Sequence, residues 1–146
     1  MNSHIVIRDV ELNDSMPLVK LAEQLGYPCL ENVVKERIKS YINNNKCRIL
    51  VAEIEGKVVG WASLDLIQHF YIDPFVEISG FVVDENYRNR GIGREIIKEI
   101  EVWTKIKKCK IVRLKTNTKR IDAHRFYENN GFKNLKEQIV YVKEMK

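Results

Sequence analysis

The chain has 146 residues, 45% of them apolar and 31% charged, with a net charge of +5, values that predict a single globular domain over residues 1–146. No apolar run approaches the roughly 18 residues of a membrane-spanning helix, and the first residues lack the basic and apolar regions of a signal peptide. We therefore expect a cytoplasmic protein with no membrane association.

The first fifty residues show a strand pattern followed by two helix patterns. IVIRDV alternates like a strand. Apolar residues then recur at helical spacing up to Gly26, and again up to Asn43, so two helices are expected. The residues that define them are Leu18, Val19, Leu21, Ala22 and Leu25 in the first helix, and Val33, Val34, Ile38, Tyr41 and Ile42 in the second.

Three strand patterns occupy the middle of the chain. RILVAEI and KVVGWASLDL surround Glu55–Gly56 and predict a β-hairpin. A loop, QHFYIDP, separates them from the strand FVEISGFVV. Gly80 lies inside this last strand, and a glycine there indicates a bulge or the close approach of another group to the backbone.

The last third predicts two helices and two further strands. A helix begins near Gly93, with Ile96, Ile97, Ile100, Trp103 and Ile106 expected to face inward. KIVRLKT predicts a strand, DAHRFYENN a short helix that ends before Gly131, and EQIVYVK a final strand. The resulting fold class is mixed α/β (α+β), with about six strands and four helices.

The segment YRNRGIGREI indicates a phosphate-binding loop. Glycine lets a ligand approach the backbone, and the first N–H groups of a helix favour an anion. The P-loop pattern lacks its Lys–Ser/Thr pair, and the dinucleotide pattern G-x-G-x-x-G has Ile96 at its third glycine position. R-x-x-G-x-G remains, and the alternative is a plain glycine turn between a strand and a helix.

Charge is distributed unevenly along the chain. Residues 1–87 carry a net charge of −5, whereas residues 88–125 carry +9. This asymmetry favours a protein that handles an anion and a cation in separate places. The alternative for the basic stretch is a nucleic-acid-binding module. Metal binding is not expected, because Cys29, Cys47 and Cys109 and the three histidines form no set with ligand spacing, and we expect the cysteines to be reduced.

Two motifs together resemble the GNAT family of acyl-CoA-dependent N-acetyltransferases. R-x-x-G-x-G resembles the family's pyrophosphate loop, and AHRFYENNGF, which begins 30 residues after Gly93, resembles its tyrosine-bearing helix. The resemblance covers essentially the whole chain. It implies a GNAT-like fold with a mixed, mostly antiparallel sheet of about six to seven strands and about four helices. It also implies direct acetyl transfer from acetyl-CoA, as co-substrate, to a primary amine of a small molecule in a ternary complex. The acidic first half of the chain favours a cationic amine.

The resemblance also implies roles for individual residues. Tyr127 would protonate the departing thiolate, the alternative being packing beside Phe126. Glu77 would accept the amine proton directly or through water, the alternative being an exposed strand glutamate. The residues that would bind the cofactor are Phe81, Val82, Val83, Arg88, Asn89, Arg90, Gly91, Ile92, Gly93, Arg94, Asn117 and Tyr127. Those that would line the acceptor pocket are Tyr27, His69, Tyr71 and Glu77.

Partners and rival functions follow from the same patterns. We expect a small-molecule amine as partner and no nucleic acid, and the C-terminal strand could pair with a second copy in a homodimer. A non-catalytic GNAT-like domain that binds acyl-CoA is the second alternative, and retention of Tyr127 and of both loop glycines argues against it.

Overall fold

The structure, a computed structural model, describes residues 4–146 and divides into two compact units, Met1–Lys115 and Thr116–Lys146. The first three residues lie outside the described part, and with them the start of the segment in which no signal peptide is expected.

One five-stranded sheet organises the first unit. Its strands lie in the order β1 to β5, with antiparallel pairs from β1 to β4 and a parallel pair between β4 and β5. The strands are β1 (Ile5–Asp9), β2 (Cys47–Ile54), β3 (Lys57–Ile67), β4 (Phe75–Val83) and β5 (Val112–Leu114), and the helices of this unit are α1 (Ser15–Leu25), α2 (Glu31–Ile42) and α3 (Ile92–Ile106).

Helices cover both faces of the sheet. Ile49 and Val51 of β2 share a buried cluster with Leu18 of α1 and Ile38 of α2. Because side chains alternate along a strand, Ala52 faces the other way. Ala52 pairs with Gly60, and a Cβ at Gly60 would lie 3.5 Å from Ile96 Cδ1 of α3. The helices α1 and α2 therefore cover one face and α3 the other.

The second unit contains a single helix, α4 (Ile121–Asn129). It is followed by Gly131 at φ +91°, a left-handed conformation that suits glycine and ends the helix. The Phe132 N–H donates to the Tyr127 carbonyl at 3.0 Å, which turns the chain back on the last helical turn. Residues 132–146 have neither helix nor strand.

Five of the six predicted strands are present among the described residues. EQIVYVK is not a strand in the structure, and the sheet has five strands rather than six or seven. A local sequence pattern indicates which side chains a strand would bury. It does not indicate whether a neighbouring strand is available for backbone pairing. Ile106 was expected to face inward and is 66% exposed, because it is the last residue of α3.

Arg8 and Asp14 tie β1 to the turn that precedes α1. Arg8 Nη1 and Nη2 donate to the two Asp14 carboxylate oxygens at 2.8 and 2.9 Å, and Arg8 Nε donates to Glu53 at 3.0 Å. Burial alone would raise the pKa of Asp14, but hydrogen bonds from Arg8 and from the Glu11 backbone N–H outweigh it and lower that pKa below 3.8.

We expect Asp14→Asn to lower the free energy of unfolding by about 2 kcal/mol at neutral pH, since hydrogen bonds to charged groups contribute about 1.5–3 kcal/mol. Because the pKa of Asp14 is lower in the folded state, the full stabilisation by its carboxylate is present above the ordinary pKa of 3.8. The stabilisation is lost as the pH falls through the folded-state pKa. Urea unfolding from pH 7 down to about pH 2 should therefore show the gap between parent and variant closing. Glu36→Gln, which breaks the exposed pair with Lys39, is the control and should change stability little. A gap that is constant with pH would contradict the assigned role of the carboxylate.

Candidate functional site

The pairing between β4 and the edge strand β5 is short. Their parallel pairing joins Val76, Glu77 and Ile78 to residues 112–114 and ends at Ile78 and Leu114. Residues 80–83 of β4 stay paired with β3 on the other side. Within the described residues, the segment 79–83, which contains Phe81, Val82 and Val83, therefore lies beyond the last registered pair with β5.

A bulge interrupts β4 directly after its last registered pair with β5. Ile78 pairs with Leu64 and Gly80 with Ser63, so Ser79 is an extra residue between two registered pairs. The bulge expected from Gly80 is confirmed. A Cβ at Gly80 would lie 2.7 Å from Trp61 Cζ3 and 3.1 Å from Ser63 Oγ, so the groups that approach this glycine are side chains of β3.

The glycine loop places left-handed residues directly before α3. Asn89 and Gly91 have φ values of +64° and +82°. Gly91 is the N-cap of α3, and a Cβ there would meet no atom within 4 Å. By helix geometry the N–H groups of Ile92, Gly93 and Arg94 have no partner within the helix. The loop thus combines open space with orphan donors and the positive end of a helix dipole, as an anion requires.

The three arginines of the loop occupy different environments. Arg88 Nε donates to the Val83 carbonyl at 3.4 Å, which connects the loop to the end of β4. The Arg90 guanidinium lies 4.8 Å from the centre of the Tyr87 ring, and Lys57 Nζ lies 5.0 Å from the same ring. Arg94 is exposed in the first turn of α3. All three are consistent with a basic rim around the loop.

Glu77 is half-buried on β4, two residues before the bulge. Its Oε1 lies 3.7 Å from Lys115 Nζ, and Glu77 is paired across the strands with Asp65 of β3. Directly paired like charges are unfavourable unless a cation lies near them. Cys47 Sγ donates to Asp65 Oδ1 at 3.3 Å, which stabilises that carboxylate.

The residues expected to line the acceptor pocket lie in two segments. His69 and Tyr71 belong to the exposed loop between β3 and β4, and their rings stack with centroids 5.4 Å apart. Phe70 packs edge-on against Tyr71 at 5.3 Å. Tyr27 follows α1 and is exposed, with its backbone N–H bonded to the Ala22 carbonyl. The structure brings His69 and Tyr71 together, and Tyr27 lies in a different segment.

In the second unit, Tyr127 lies between two aromatic rings. Its ring centroid is 5.4 Å from that of Phe126 and 5.7 Å from that of Phe132, both in edge-on geometry. Burial raises the pKa of Tyr127 above its ordinary value of 10.0, and the charge of Arg120 opposes this. The phenol therefore keeps its proton at neutral pH, which suits a proton donor. The packing beside Phe126 is also present, so both interpretations of Tyr127 have support.

Asn117 and His124 stabilise the turn that leads into α4. Asn117 Oδ1 accepts a hydrogen bond from the Lys119 backbone N–H at 2.9 Å, the geometry of a turn-forming asparagine. The Asn117 carbonyl lies 2.8 Å from His124 Nε2. The structure therefore supports a local role for His124 and gives the Asn117 side chain a structural contact, while contact with a cofactor stays a prediction.

The sequence reasoning overlooked a set of polar side chains around the bulge, namely Tyr41, Cys47, Ser63, Asp65 and Ser79. Ser63 and Ser79 are hydrogen-bonded through their hydroxyl groups at 2.7 Å. Burial raises the pKa of Tyr41, and the charge of Asp65 adds to this rise. Alternation in WASLD, which puts Trp61, Ser63 and Asp65 on one face of β3, was the signal that could have revealed part of the set.

Two other kinds of site are a membrane-spanning helix and a metal centre, and the following statements apply to residues 4–146. No described helix combines the length and apolar character needed to cross a membrane. The described residues also contain no group of three or more His, Cys, Asp or Glu side chains arranged to hold a metal ion.

The sequence is similar to several N-acetyltransferases. It is 22% identical over 122 residues to an aminoglycoside N(6')-acetyltransferase type 1 of Stenotrophomonas maltophilia, which covers 80% of this chain and 78% of that protein. It is 35% identical over 79 residues to an aminoalkylphosphonate N-acetyltransferase of Salmonella typhimurium, covering 53% of this chain and 51% of that protein. An N-acetylaspartate synthetase of Xenopus tropicalis is 33% identical over 85 residues, but the chain spans only 30% of its length.

Solved structures agree with the fold. The aminoglycoside N-acetyltransferase AAC(6')-Iy in complex with CoA superposes with a TM-score of 0.87 at 19% identity, over 99% of this chain and 98% of that one. AAC(6')-Ih from Acinetobacter baumannii superposes with a TM-score of 0.86 at 16% identity, over 98% of this chain and 100% of that one. At these identities the likeness establishes the fold.

The family is established by a sequence model. The acetyltransferase (GNAT) family model matches residues 10–132, a range that includes the glycine loop, the bulged strand and the tyrosine helix. The resemblance of the two motifs is thereby confirmed. The chain belongs to the GNAT acetyltransferase family, which makes it an acyltransferase with acetyl-CoA as its co-substrate.

Proposed function

We propose that the protein transfers an acetyl group from acetyl-CoA directly to the primary amine of a small cationic molecule, in a ternary complex. The observation that carries this proposal is the end of the β4–β5 pairing at Ile78, followed along the chain by the open glycine loop at the start of α3. An extended pantetheine arm would run along β4 beyond Ile78 as a further strand would. The orphan N–H groups of α3 suit the pyrophosphate at the other end of the cofactor.

The proposed chemistry needs three groups. The amine must be neutral to attack, and Glu77 would accept its proton directly or through water. The oxyanion of the tetrahedral intermediate would be held by a backbone N–H within Phe81–Val83, on the edge of β4 past the bulge. Tyr127 would return a proton to the departing thiolate, for which its raised pKa is suitable. Direct transfer requires no covalent intermediate on the enzyme.

A cationic acceptor is supported by charge. Residues 1–87 carry a net charge of −5, and Asp65 and Glu77 form a carboxylate pair on adjacent strands. An ammonium group would relieve the repulsion within that pair. One kind of relative is named for cationic amines of this sort, the aminoglycosides. His69 and Tyr71 would supply an aromatic wall, and Tyr27 a second contact.

The proposal is tested by following free-thiol release from acetyl-CoA across a panel of amines. The panel should contain polyamines, aminoglycosides and lysine-like compounds, with neutral amines and with anionic ones such as aminoalkylphosphonates as comparison. We expect turnover with at least one cationic amine and much weaker turnover with the anionic ones. Acetyl-CoA binding without thiol release for any amine would favour the non-catalytic alternative. Salt-sensitive retention of DNA or RNA without acetyl-CoA binding would favour the nucleic-acid module.

Three further features belong to the same proposal. Residues 1–146 act as one acetyltransferase domain, the protein works in the cytoplasm without nucleic acid as partner, and two copies form a homodimer. The exposed apolar side chains of the C-terminal segment, including Ile139, Val140 and Tyr141, support an association between copies. Sedimentation of the purified chain tests the homodimer.

Gly91→Ala should weaken acetyl-CoA binding about tenfold, or roughly 1.4 kcal/mol. The added methyl group enters space that the loop leaves open, and φ of +82° disfavours any residue with a Cβ. Gly56→Ala is a matched control, because Gly56 has φ of +79° and equally open surroundings in the turn between β2 and β3. Calorimetry should show unchanged acetyl-CoA affinity for Gly56→Ala, with similar losses of stability in both variants. Equal affinities in the two variants would contradict a phosphate-binding role for Gly91.

A further inference from the structure

Ser79 is the residue at which the regular pairing of β4 is interrupted. In the pairing with β3 it is the extra residue of the bulge, and in the pairing with β5 it is the first residue beyond the last registered pair. A bulge residue is left out of the regular ladder, so the backbone at this point is less constrained than elsewhere in the sheet. Another contact must hold the strand at this position.

The hydroxyl of Ser79 connects the bulge to β3. Ser79 Oγ lies 2.7 Å from Ser63 Oγ and donates to the Ser63 carbonyl at 3.3 Å. Ser63 is paired with Gly80, the residue that follows the bulge, so both contacts act across the interrupted part of the ladder.

The packing beside these contacts is tight. Ser63 Oγ would lie 3.1 Å from a Cβ at Gly80, and the Trp61 ring would lie closer still. Movement of the bulge toward β3 is therefore blocked by these side chains, while movement away from β3 is opposed by the bonds between Ser79 and Ser63. Together the two kinds of contact fix the path of β4 beyond the bulge.

We infer that Ser79 is a positioning residue for acetyl transfer: its hydroxyl, bonded to Ser63, replaces the missing ladder contacts of the bulge. It thereby sets the path of the strand segment 80–83. This inference rests on the proposed function, because the backbone of that segment is the part of β4 that would hold the thioester. A displacement of the reacting group by about 1 Å can cost up to a hundredfold in rate, whereas affinity depends mainly on the distant phosphate contacts.

The test compares Ser79→Ala with Ser79→Thr, which keeps the hydroxyl, and with Ser40→Ala, an exposed serine of α2 next to Tyr41. Amide hydrogen exchange without cofactor should be faster at residues 78–81 in Ser79→Ala and unchanged in the other two. With an amine identified as acceptor, kcat should fall about tenfold in Ser79→Ala. The calorimetric affinity for acetyl-CoA should stay within about twofold, and Ser79→Thr should restore most of the rate.

Adding Ser63→Ala to Ser79→Ala should lower kcat little further, because both substitutions break the same contact. Unchanged exchange in Ser79→Ala would overturn the inference, as would faster exchange with parental kcat. Equal loss of kcat in Ser79→Thr would also overturn it, since the hydroxyl would then be irrelevant. A parent that binds acetyl-CoA but acetylates no amine would instead contradict the proposed function, and in that case the exchange of Ser79→Ala would still decide whether the hydroxyl holds the bulge.

Discussion

Replacing Tyr127 with phenylalanine should lower turnover about 100-fold while folding and acetyl-CoA binding survive. The substitution removes one oxygen and keeps the ring that packs between Phe126 and Phe132. General acid assistance is worth roughly 10²–10⁴-fold, and a thiolate leaves readily, so the lower end of that range is expected. Thermal unfolding, calorimetry with acetyl-CoA and thiol release with a confirmed amine measure the three properties separately.

The pH dependence of turnover gives a second result for the same variant. A proton donor must be protonated, so parental activity should fall at high pH as the phenol ionises. Burial raises the pKa of Tyr127, which places that fall above the ordinary value of 10.0. Tyr127→Phe should lose this limb of the profile.

The control for Tyr127 is Tyr141→Phe. Tyr141 belongs to the same unit and is 87% exposed, so removing its hydroxyl should leave turnover and its pH profile as in the parent. If Tyr127→Phe also retains parental turnover, Tyr127 only packs in the aromatic cluster and the general acid is another group.

Glu77→Gln should lower kcat/KM by about 100-fold, because an amide cannot accept the amine proton. The loss should be largest below the acceptor's own pKa, where most of the amine is protonated and deprotonation is needed before attack. Stability should change little, since the partner Lys115 has a side chain that is 74% exposed. Initial rates over a range of pH, with the amine concentration varied, measure the effect.

Lys115→Gln separates loss of the base from loss of the ion pair. It breaks the same 3.7 Å contact but keeps the carboxylate of Glu77. We expect this variant to stay near parental kcat/KM. Similar losses in both variants would assign Glu77 a structural role through Lys115, and an unchanged pH profile in Glu77→Gln would leave water as the proton acceptor.

Local patterns predicted most elements of the first unit correctly. Leu18, Leu21 and Ile38 are buried as their helical spacing predicts, and Ile96 and Ile100 form the inner face of α3. These helices are amphipathic and pack on a sheet whose central strands are apolar on both faces, so periodicity and tertiary structure agree. The turn at Glu55–Gly56 is also where the sequence places it, with both residues at positive φ.

Patterns failed where an element depends on a distant partner. EQIVYVK and IVIRDV both read as strands, yet of these two only IVIRDV has a neighbouring strand, because Ile5–Asp9 pairs with Leu50–Ile54. The early end of the β4–β5 pairing likewise follows from the length of β5, which has three residues. The local spacing of residues encodes neither the absence of the last strand nor this early end.

The candidate site was predictable in part for the same reason. Gly91 carries a conformational requirement that is visible in sequence, because a left-handed N-cap with open space favours glycine. Ser79 carries no such signal, because its contact with Ser63 joins residues that lie 16 positions apart in the sequence. Side chains that act through cross-strand contacts become visible only when the register is known.

The most direct test of the account follows labelled acetyl groups in a single turnover. Enzyme loaded with acetyl-labelled acetyl-CoA is mixed with an amine that supports thiol release, and the label on the amine and on the protein is measured after rapid quenching. The account predicts that label appears on the primary amine at the rate of thiol release, with none bound covalently to the protein. Label that accumulates on the protein before it reaches the amine, or thiol release without an acetylated amine, would contradict it.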